Sequence, residues 1–349
     1  QLRRDRLTFG MIVGIPVIQM LLFGYAINTD VRNLRTAVAD QANTHLSRQF
    51  VAELRETQVV DIIEFVDTPA ALDERLRMGE ISIGVVIPHD FERRVIDPDR
   101  PAVHLLVDGS DPTMSSVAIQ LRNMPIAFDT GKKARREYNI EVRPSYNPER
   151  RTPVNIIPGL MGIILTLTMM LFTAVAIVRE RERGNLELLI NTPVSSAELM
   201  TGKVIPYIVI GMIQLALILV VGDVLFEVPV RGSVLDLYLA SGAFIAANLA
   251  LGLVISTIAK TQFQAMQMTF FVLLPSILLS GFVFPFDGMP RFAQLLGEIL
   301  PVTHFIRLTR GIMLREAGLM ELYPELIALG IFTLVAMTGA ALRFTKRLD

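Results

Sequence analysis

Six stretches of this chain are each close to the length that carries a helix across a bilayer core, roughly 20 residues. They run Leu7–Ile27, Ile156–Val178, Val204–Phe226, Leu239–Ala259, Phe263–Pro285 and Tyr323–Leu342. Hydrocarbon offers no water to backbone N–H and C=O groups, so apolar runs of this length have to satisfy them internally, as helices. Composition agrees: 52% of the 349 residues are hydrophobic and 19% charged, with a mean hydropathy of +0.48, too apolar for a soluble domain. The expected fold class is an α-helical membrane protein with six transmembrane helices. Arg3, Arg4 and Arg6 before the first run resemble a signal-peptide n-region, but the run exceeds an h-region and reads as an uncleaved span. The chain begins with Gln rather than Met, so it is expected to start inside an interfacial helix whose first residues are missing.

An even number of spans leaves both termini on one side, and the positive-inside rule selects that side. Arg3, Arg4 and Arg6, then Arg179, Arg181, Arg183 and Lys203, then Lys260, and finally Arg343, Lys346 and Arg347 all fall on the same face, which is read as cytoplasmic. The opposite face carries Arg231 in one loop. It also carries Arg291, Arg307, Arg310 and Arg315 in another, which weakens the asymmetry. A net charge of −1 gives no nucleic-acid footprint. With no cysteine there is neither a disulfide framework nor a thiolate metal site.

Between the first two spans, Thr29–Asn155 alternates as an inserted α/β domain does. TAVADQ, VVDIIEFV, ISIGVVIP and AVHLLVDG read as strands. THLSRQFVAELRET reads as a helix with Leu46, Phe50, Val51 and Leu54 on one face. TPAALDERLRMGE carries Thr68 as N-cap, Pro69 at the first helical position and Gly79 near its end. SSVAIQLRNMPIAFDTGKKARREY reads as partly helical and leads back to the membrane. The expected division is residues 1–28 as cytoplasmic end and first span, 29–155 as extracytoplasmic α/β domain, and 156–349 as spans two to six. The last part includes a cytoplasmic insert at 179–203 and an extracytoplasmic re-entrant segment at 286–322.

The insert is the most informative stretch. The second apolar run stops at Arg179, passes through Glu180, Arg181, Glu182, Arg183 and Gly184, and resumes after Lys203. Leu186, Leu189 and Ile190 recur at helical spacing, with Glu187 on another face, and Pro193 closes the segment. Ser195 and Glu198 then form a capping-box pattern leading into the third span. On composition alone this is a short amphipathic helix at the membrane surface. Its sharper reading is a docking element that passes motion from a partner into two spans.

Several chemistries are excluded. Gly79 and Gly84 approach the spacing of a phosphate-binding loop but are followed by Val85 and Val86, so they read as a helix end and a strand glycine. His45, His89, His104 and His304 show no metal-ligand spacing. Asp108 and Asp111 sit in a Gly/Ser/Pro turn and read as a solvated loop rather than an acid–base pair. Catalytic residues are therefore none. Inside the spans, Gln19, Gln214, Asn248 and Gln267 are costly in hydrocarbon, and read equally as pathway-lining groups or as helix–helix hydrogen bonds.

Two stretches carry a family resemblance. RERERGNLELLINTPVSSAELMTGK resembles the segment after the second span in permease subunits of ATP-binding-cassette type-2 exporters, where E-R-G-[ST]-x-E-x-L-x-x-[ST]-P is typical. Asn185 stands at the usual small hydroxyl position. LLSGFVFPFDGMPRFAQLLGEILPVTHFIRLTRGIM resembles the late signature of the family, with Gly281, Pro290, Pro301, His304 and Arg310 at its marked positions. FERRV and LLVDGSDPT resemble a bacterial branch with a large extracytoplasmic domain. The resemblance covers essentially the whole chain. It implies that Arg179–Gly184, Leu186, Glu187, Leu189, Ile190 and Pro193 form a coupling helix on a separate ATPase subunit. That partner, not this chain, would hold ATP and Mg. It further implies pairing with a second, identical or homologous permease, location in a bacterial inner membrane with cytoplasmic termini, and an extracytoplasmic domain that could meet an adaptor.

Two alternatives differ in kind. An ion-gradient secondary transporter calls for intramembrane carboxylates and broken helices in paired halves, which the sequence lacks. A membrane-anchored scaffold or sensor would act through the α/β domain without transport.

Overall fold

The computed structural model describes residues 33–97, 100–110, 121, 127–128, 136–137, 140–149, 151–183 and 196–343. The first apolar window with Gln19, and the insert residues Gly184, Leu186, Glu187, Leu189, Ile190 and Pro193, lie outside the described residues.

Residues 34–145 build a layered α/β unit. In chain order it contains β1 (Leu34–Asp40), α1 (His45–Glu56), β2 (Val60–Phe65), α2 (Pro69–Met78), β3 (Ile83–Ile87), α3 (Phe91–Ile96) and β4 (Val103–Asp108). The short β5 (Ala127–Phe128) and β6 (Arg136–Glu137) pair antiparallel, and β7 (Ile140–Ser145) completes the main sheet. The strand order is β2-β1-β3-β4-β7, with β1 parallel to both β2 and β3. Because β2 and β3 flank β1 on opposite sides, right-handed crossovers must put α1 and α2 on opposite faces. The cores agree. Leu34 and Val38 of β1 pack with Phe50, Val51 and Leu54 of α1, while Ala37 and Ala39 pack with Leu72 and Leu76 of α2. Thr44 and Thr68 cap the two helices, and Gly79 ends α2 in the left-handed region at φ 73°. The sequence missed β7, and β6 falls in a stretch read as partly helical. β5, in the same stretch, and β6 are two residues each, too short to announce themselves, while the alternation Ile140-Glu141-Val142-Arg143 of β7 is broken by Pro144 and the strand is held by its pairing with β4.

The rest is helical: α4 (Thr152–Glu182), α5 (Ser196–Phe226), α6 (Val234–Ile258), α7 (Gln262–Leu279), a 3-10 turn (Phe286–Gly288), α8 (Arg291–Ile299), α9 (Pro301–Arg315) and α10 (Tyr323–Arg343). Five of these helices contain segments long and apolar enough to cross a membrane: Thr152–Glu182, Ile205–Phe226, Val234–Ile258, Gln262–Leu279 and Tyr323–Arg343. At 1.5 Å per residue α4 extends about 46 Å, which overshoots a hydrocarbon core of about 30 Å. The fifth span ends at Leu279, six residues short of the expected Pro285, because the chain turns at Gly281 with φ 80°.

Hydrogen bonds fix which helix ends lie together. The α/β unit feeds α4 through a buried Asn147, whose Nδ2 donates to the Arg151 carbonyl and to Asn155 Oδ1, each at 3.0 Å. The end of α5 returns there: Arg151 Nη2 donates to the Phe226 carbonyl at 2.8 Å. The segment before α6 is pinned to α9, with Gly232 N donating to the Ile312 carbonyl at 3.0 Å. At the far end of α4, Arg181 and Glu182 meet the turn between α6 and α7. The helices therefore alternate in direction, and α4 closes at the end of the bundle opposite the α/β unit.

α6 is central, packed by α4, α5, α9 and α10. Its approach to α4 requires Gly252, where an added Cβ would lie 2.8 Å from the Met170 carbonyl oxygen and 2.9 Å from Thr173 Cβ. Gly252→Val should destabilise the detergent-solubilised chain by about 1–3 kcal/mol through overpacking. Gly330→Val, where nothing lies within 4 Å, should leave the thermal midpoint nearly unchanged. Equal midpoints for the two variants would contradict this packing.

Candidate functional site

At the insert end, the charged residues closing α4 divide by what they touch. Arg179 and Arg183 are exposed. Arg181 donates from Nη1 to the Ala259 carbonyl at 3.2 Å and from Nη2 to the Ser256 carbonyl. A helix leaves its last carbonyls without intrahelical partners, and a cation there also meets the negative end of the helix dipole. Glu182 makes the complementary contact, accepting from the backbone N–H of Gln262 at 3.0 Å at the start of α7, and from Gln262 Nε2. Thr261 caps α7, and the buried Gln264 accepts from Lys260 N at 2.8 Å. Three helix ends are thus fastened by two neighbouring side chains. The sequence assigned Arg181 and Glu182 to a partner surface together with Arg179, Glu180 and Arg183. The structure engages these two inside the chain, because the turn Ala259–Thr261 is too short to satisfy the helix ends it joins.

The polar residues within the spans separate as well. Gln214 accepts from Thr168 Oγ1 at 2.8 Å, which joins α5 to α4, and Asn248 donates to the Phe244 carbonyl one turn back in α6 at 3.0 Å. The first bond links two helices, and the second lies within α6. Gln267 carries a buried Oε1 that has no hydrogen-bond partner among the described residues.

At the opposite end, the signature positions shape one corner. Gly281 turns the chain after α7, Pro290 precedes α8, Pro301 opens α9, and His304 and Arg310 lie on α9. Within the segment expected to be re-entrant, α9 is enclosed on nearly all sides, with His304, Arg310 and Arg315 each buried. One face packs into the bundle, where Phe305 stacks on Phe244 with ring centroids 4.0 Å apart and Thr309 Oγ1 donates to the Pro158 carbonyl at 3.2 Å. The polar face is covered by the α/β unit and the start of α10. His304 Nδ1 meets Glu325 Oε2 and its Nε2 the Glu298 carbonyl, while Arg307 bridges Glu298 at 2.6 Å and Glu325 at 3.3 Å. Arg307 also lies 4.5 Å over the Phe286 ring.

Further pairs cross the junction. Arg35 meets Asp287 at 3.2 Å, Ser82 Oγ donates to Asp287 Oδ2 at 2.7 Å, and Arg77 meets Glu321 at 3.1 Å. Hydrogen bonding to Glu74 outweighs burial and, with the charge of Glu321, keeps Arg77 firmly protonated. Arg315 Nη1 lies 3.6 Å from Asp108 Oδ2. The reading of Asp108 as a solvated turn residue is therefore overturned: Gly109 N donates to the Ser145 carbonyl at 3.0 Å, which folds that turn under α9. Burial first, then the Asp108 charge, raises the nearby Tyr146 hydroxyl to about 12, so it stays neutral. The sequence did not single out Asp108, Arg315, Glu325 or Asp287 as partners, since they are far apart in the chain. The one available signal was the excess of arginines in the loop after the fifth span, which matches the acids brought to it. Among the described residues no group of His, Asp and Glu could hold a metal ion.

Comparison with known proteins agrees with the geometry. A family model described as ABC-2 family transporter protein matches residues 6–342. The chain is 31% identical to the probable multidrug ABC transporter permease YbhS of Escherichia coli, over 90% of this chain and 85% of that protein. It is 27% identical to the probable multidrug ABC transporter permease YbhR of the same organism, over 97% and 93%. It is 29% identical to its inner membrane transport permease YhhJ, over 89% and 84%. No solved structure matches. A chain whose apolar helices alternate between a basic end and an α/β unit, and which matches this family model along nearly its whole length, belongs to the ABC-2 transporter family as a membrane-embedded permease subunit of an ABC transporter.

Proposed function

We propose that the chain is a six-span subunit of an ATP-driven exporter in a bacterial inner membrane. Together with a second permease, identical or homologous, it lines a pathway. The α/β unit is extracytoplasmic, where an adaptor could meet it, and both termini and residues 179–203 are cytoplasmic. ATP and Mg are bound by a separate ATPase subunit, onto which the insert docks. The observation that carries this reading is the separation of ends: α4 closes beside the basic cluster of Arg179, Arg183 and Lys260, opposite the α/β unit. The arginines that blur the charge rule on the other side do not contradict it, since Arg307 and Arg315 are matched by acids in the junction. The relatives named as multidrug permeases favour amphiphilic or hydrophobic cargo.

An ATPase subunit should co-purify with the chain. Leu189→Asp combined with Arg183→Glu should lower ATP-dependent export of a lipophilic dye from proteoliposomes by about tenfold or more, the equivalent of losing a contact of roughly 1.5–3 kcal/mol. Undiminished export by that variant would reject the docking role.

The helix-end clamp makes a separate demand. Glu182→Gln weakens a charge at a helix N-terminus, an effect on the order of 1 kcal/mol. Amide exchange at Gln262 should accelerate by roughly fivefold. Unaltered protection there would show that the carboxylate does not hold the turn.

A further inference from the structure

α8, α9 and the start of α10 meet around one buried ring. His304 is 8% exposed, its Nδ1 faces Glu325 Oε2, and its Nε2 faces the Glu298 carbonyl at 2.9 Å. Both neighbours are acceptors. A neutral imidazole carries one N–H and one lone pair, so in this position it would set a lone pair against an oxygen. The imidazolium donates from both nitrogens and satisfies both contacts.

The charges in this corner balance only with that proton. Arg307 bridges Glu298 at 2.6 Å and Glu325 at 3.3 Å, and the Glu298 carboxylate stands 3.9 Å from His304 Nε2. With the ring protonated, two cations face two carboxylates. Without it, one negative charge is left in surplus where water is largely shut out, an arrangement that costs free energy. Burial favours the neutral ring, but the hydrogen bonds to Glu325 and to the Glu298 carbonyl, with the Glu325 charge, outweigh it and the opposing charge of Arg307. The ring therefore holds its proton above the ordinary histidine value of 6.5.

The other charges that pack around α9 have partners of their own. From α2, Arg77 meets Glu74 and Glu321, and from the 3-10 turn Asp287 meets Arg35. From α6, Asp236 accepts from Leu319 N at 3.2 Å, and on α9 itself Arg315 faces Asp108. Neither Thr152–Val178 of α4 nor any part of α7 carries an ionisable side chain. Carboxylates and guanidinium groups keep their charge between about pH 6 and pH 9. His45, His89 and His104 all lie in the α/β unit, so His304 is the histidine of the bundle.

We propose that His304 is a proton-operated latch: its imidazolium fastens the start of α10 to α8 across α9, and loss of the ring proton loosens that corner. A histidine held above its ordinary value contributes fully below pH 6.5 and loses that contribution as pH rises through the raised value. The latch is thus closed in acid and loosens on the alkaline side. Its existence does not depend on transport; on the exporter reading, the pH outside the cell would operate it.

The chain has no cysteine, so two introduced ones can carry spin labels without competition. Leu295→Cys on α8 and Met320→Cys just before α10 replace side chains that are 68% and 85% exposed. The distance between the labels is measured on the full chain in detergent across the range from about pH 6 to pH 9. In the labelled parent the distribution should be narrow at the acid end and broaden reversibly as pH rises. Glu325→Gln, which removes the carboxylate on Nδ1, should move the midpoint of that transition down by about one pH unit or more. His304→Gln, which never carries the charge, should give the broad distribution at every pH. Should His304→Gln fail to fold, Glu325→Gln still decides. An unchanging distribution in the labelled parent, a midpoint unmoved in Glu325→Gln, or the parent's transition retained in His304→Gln overturns the proposal. No ATPase or cargo enters the measurement, so a failure of the exporter reading would leave its result standing.

Discussion

A helix that carries one histidine and three arginines cannot be buried unless those groups meet partners, because an unmatched charge in a low-dielectric interior costs several kcal/mol. α9 is such a helix. Its apolar side fills the space between α4 and α6, with Phe305 on Phe244 and Thr309 on the Pro158 carbonyl. Its polar side takes acids from three places: Glu298 in α8, Glu325 at the start of α10, and Asp108 from the α/β unit. That demand for counter-charges holds the sheet, the turn at Phe286 and the last span in one arrangement. Removing the α/β unit would expose Arg315 and strip it of its carboxylate.

The opposite end follows the same logic with smaller means. Helix termini leave backbone groups unmet, and Arg181 and Glu182 satisfy two of them on helices other than their own. α4 is thereby continuous from Asn147, under the sheet, to the turn joining α6 and α7. In the proposed transporter, a push on the insert therefore reaches three helices at once, through one tie made of two side chains. α4 also contacts α9, so the same displacement arrives at the junction under the α/β unit. The outer faces of α5 and α10 are largely exposed apolar surface, as expected of helices that meet lipid or a second subunit.

Much of this was legible in the residues. The apolar windows announced the five described spans, the stripe of Leu46, Phe50, Val51 and Leu54 announced α1, and the cap at Thr68 announced α2. The glycines at 79 and 84 were rightly read as a helix end and a strand position. Where reading failed, distance along the chain was the cause. β7 has only four alternating residues before Pro144, and it is its pairing along β4 that makes it a strand. Asp108 looks like a turn residue because nothing within its neighbourhood in sequence points to Arg315, 207 positions away. The re-entrant segment looked amphipathic because its polar stripe is real, but a polar stripe is silent about whether water or another domain covers it.

Hydrophobic length, charge placement and capping act over a few turns of chain, so the residues alone pointed to a multi-helix membrane protein, the order of its spans and first four strands, its basic end and its family. Pairing between buried charges depends on atoms that meet only after folding. That is why the enclosure of α9, the clamp made by Arg181 and Glu182, and the ion pairs across the junction became visible only in three dimensions.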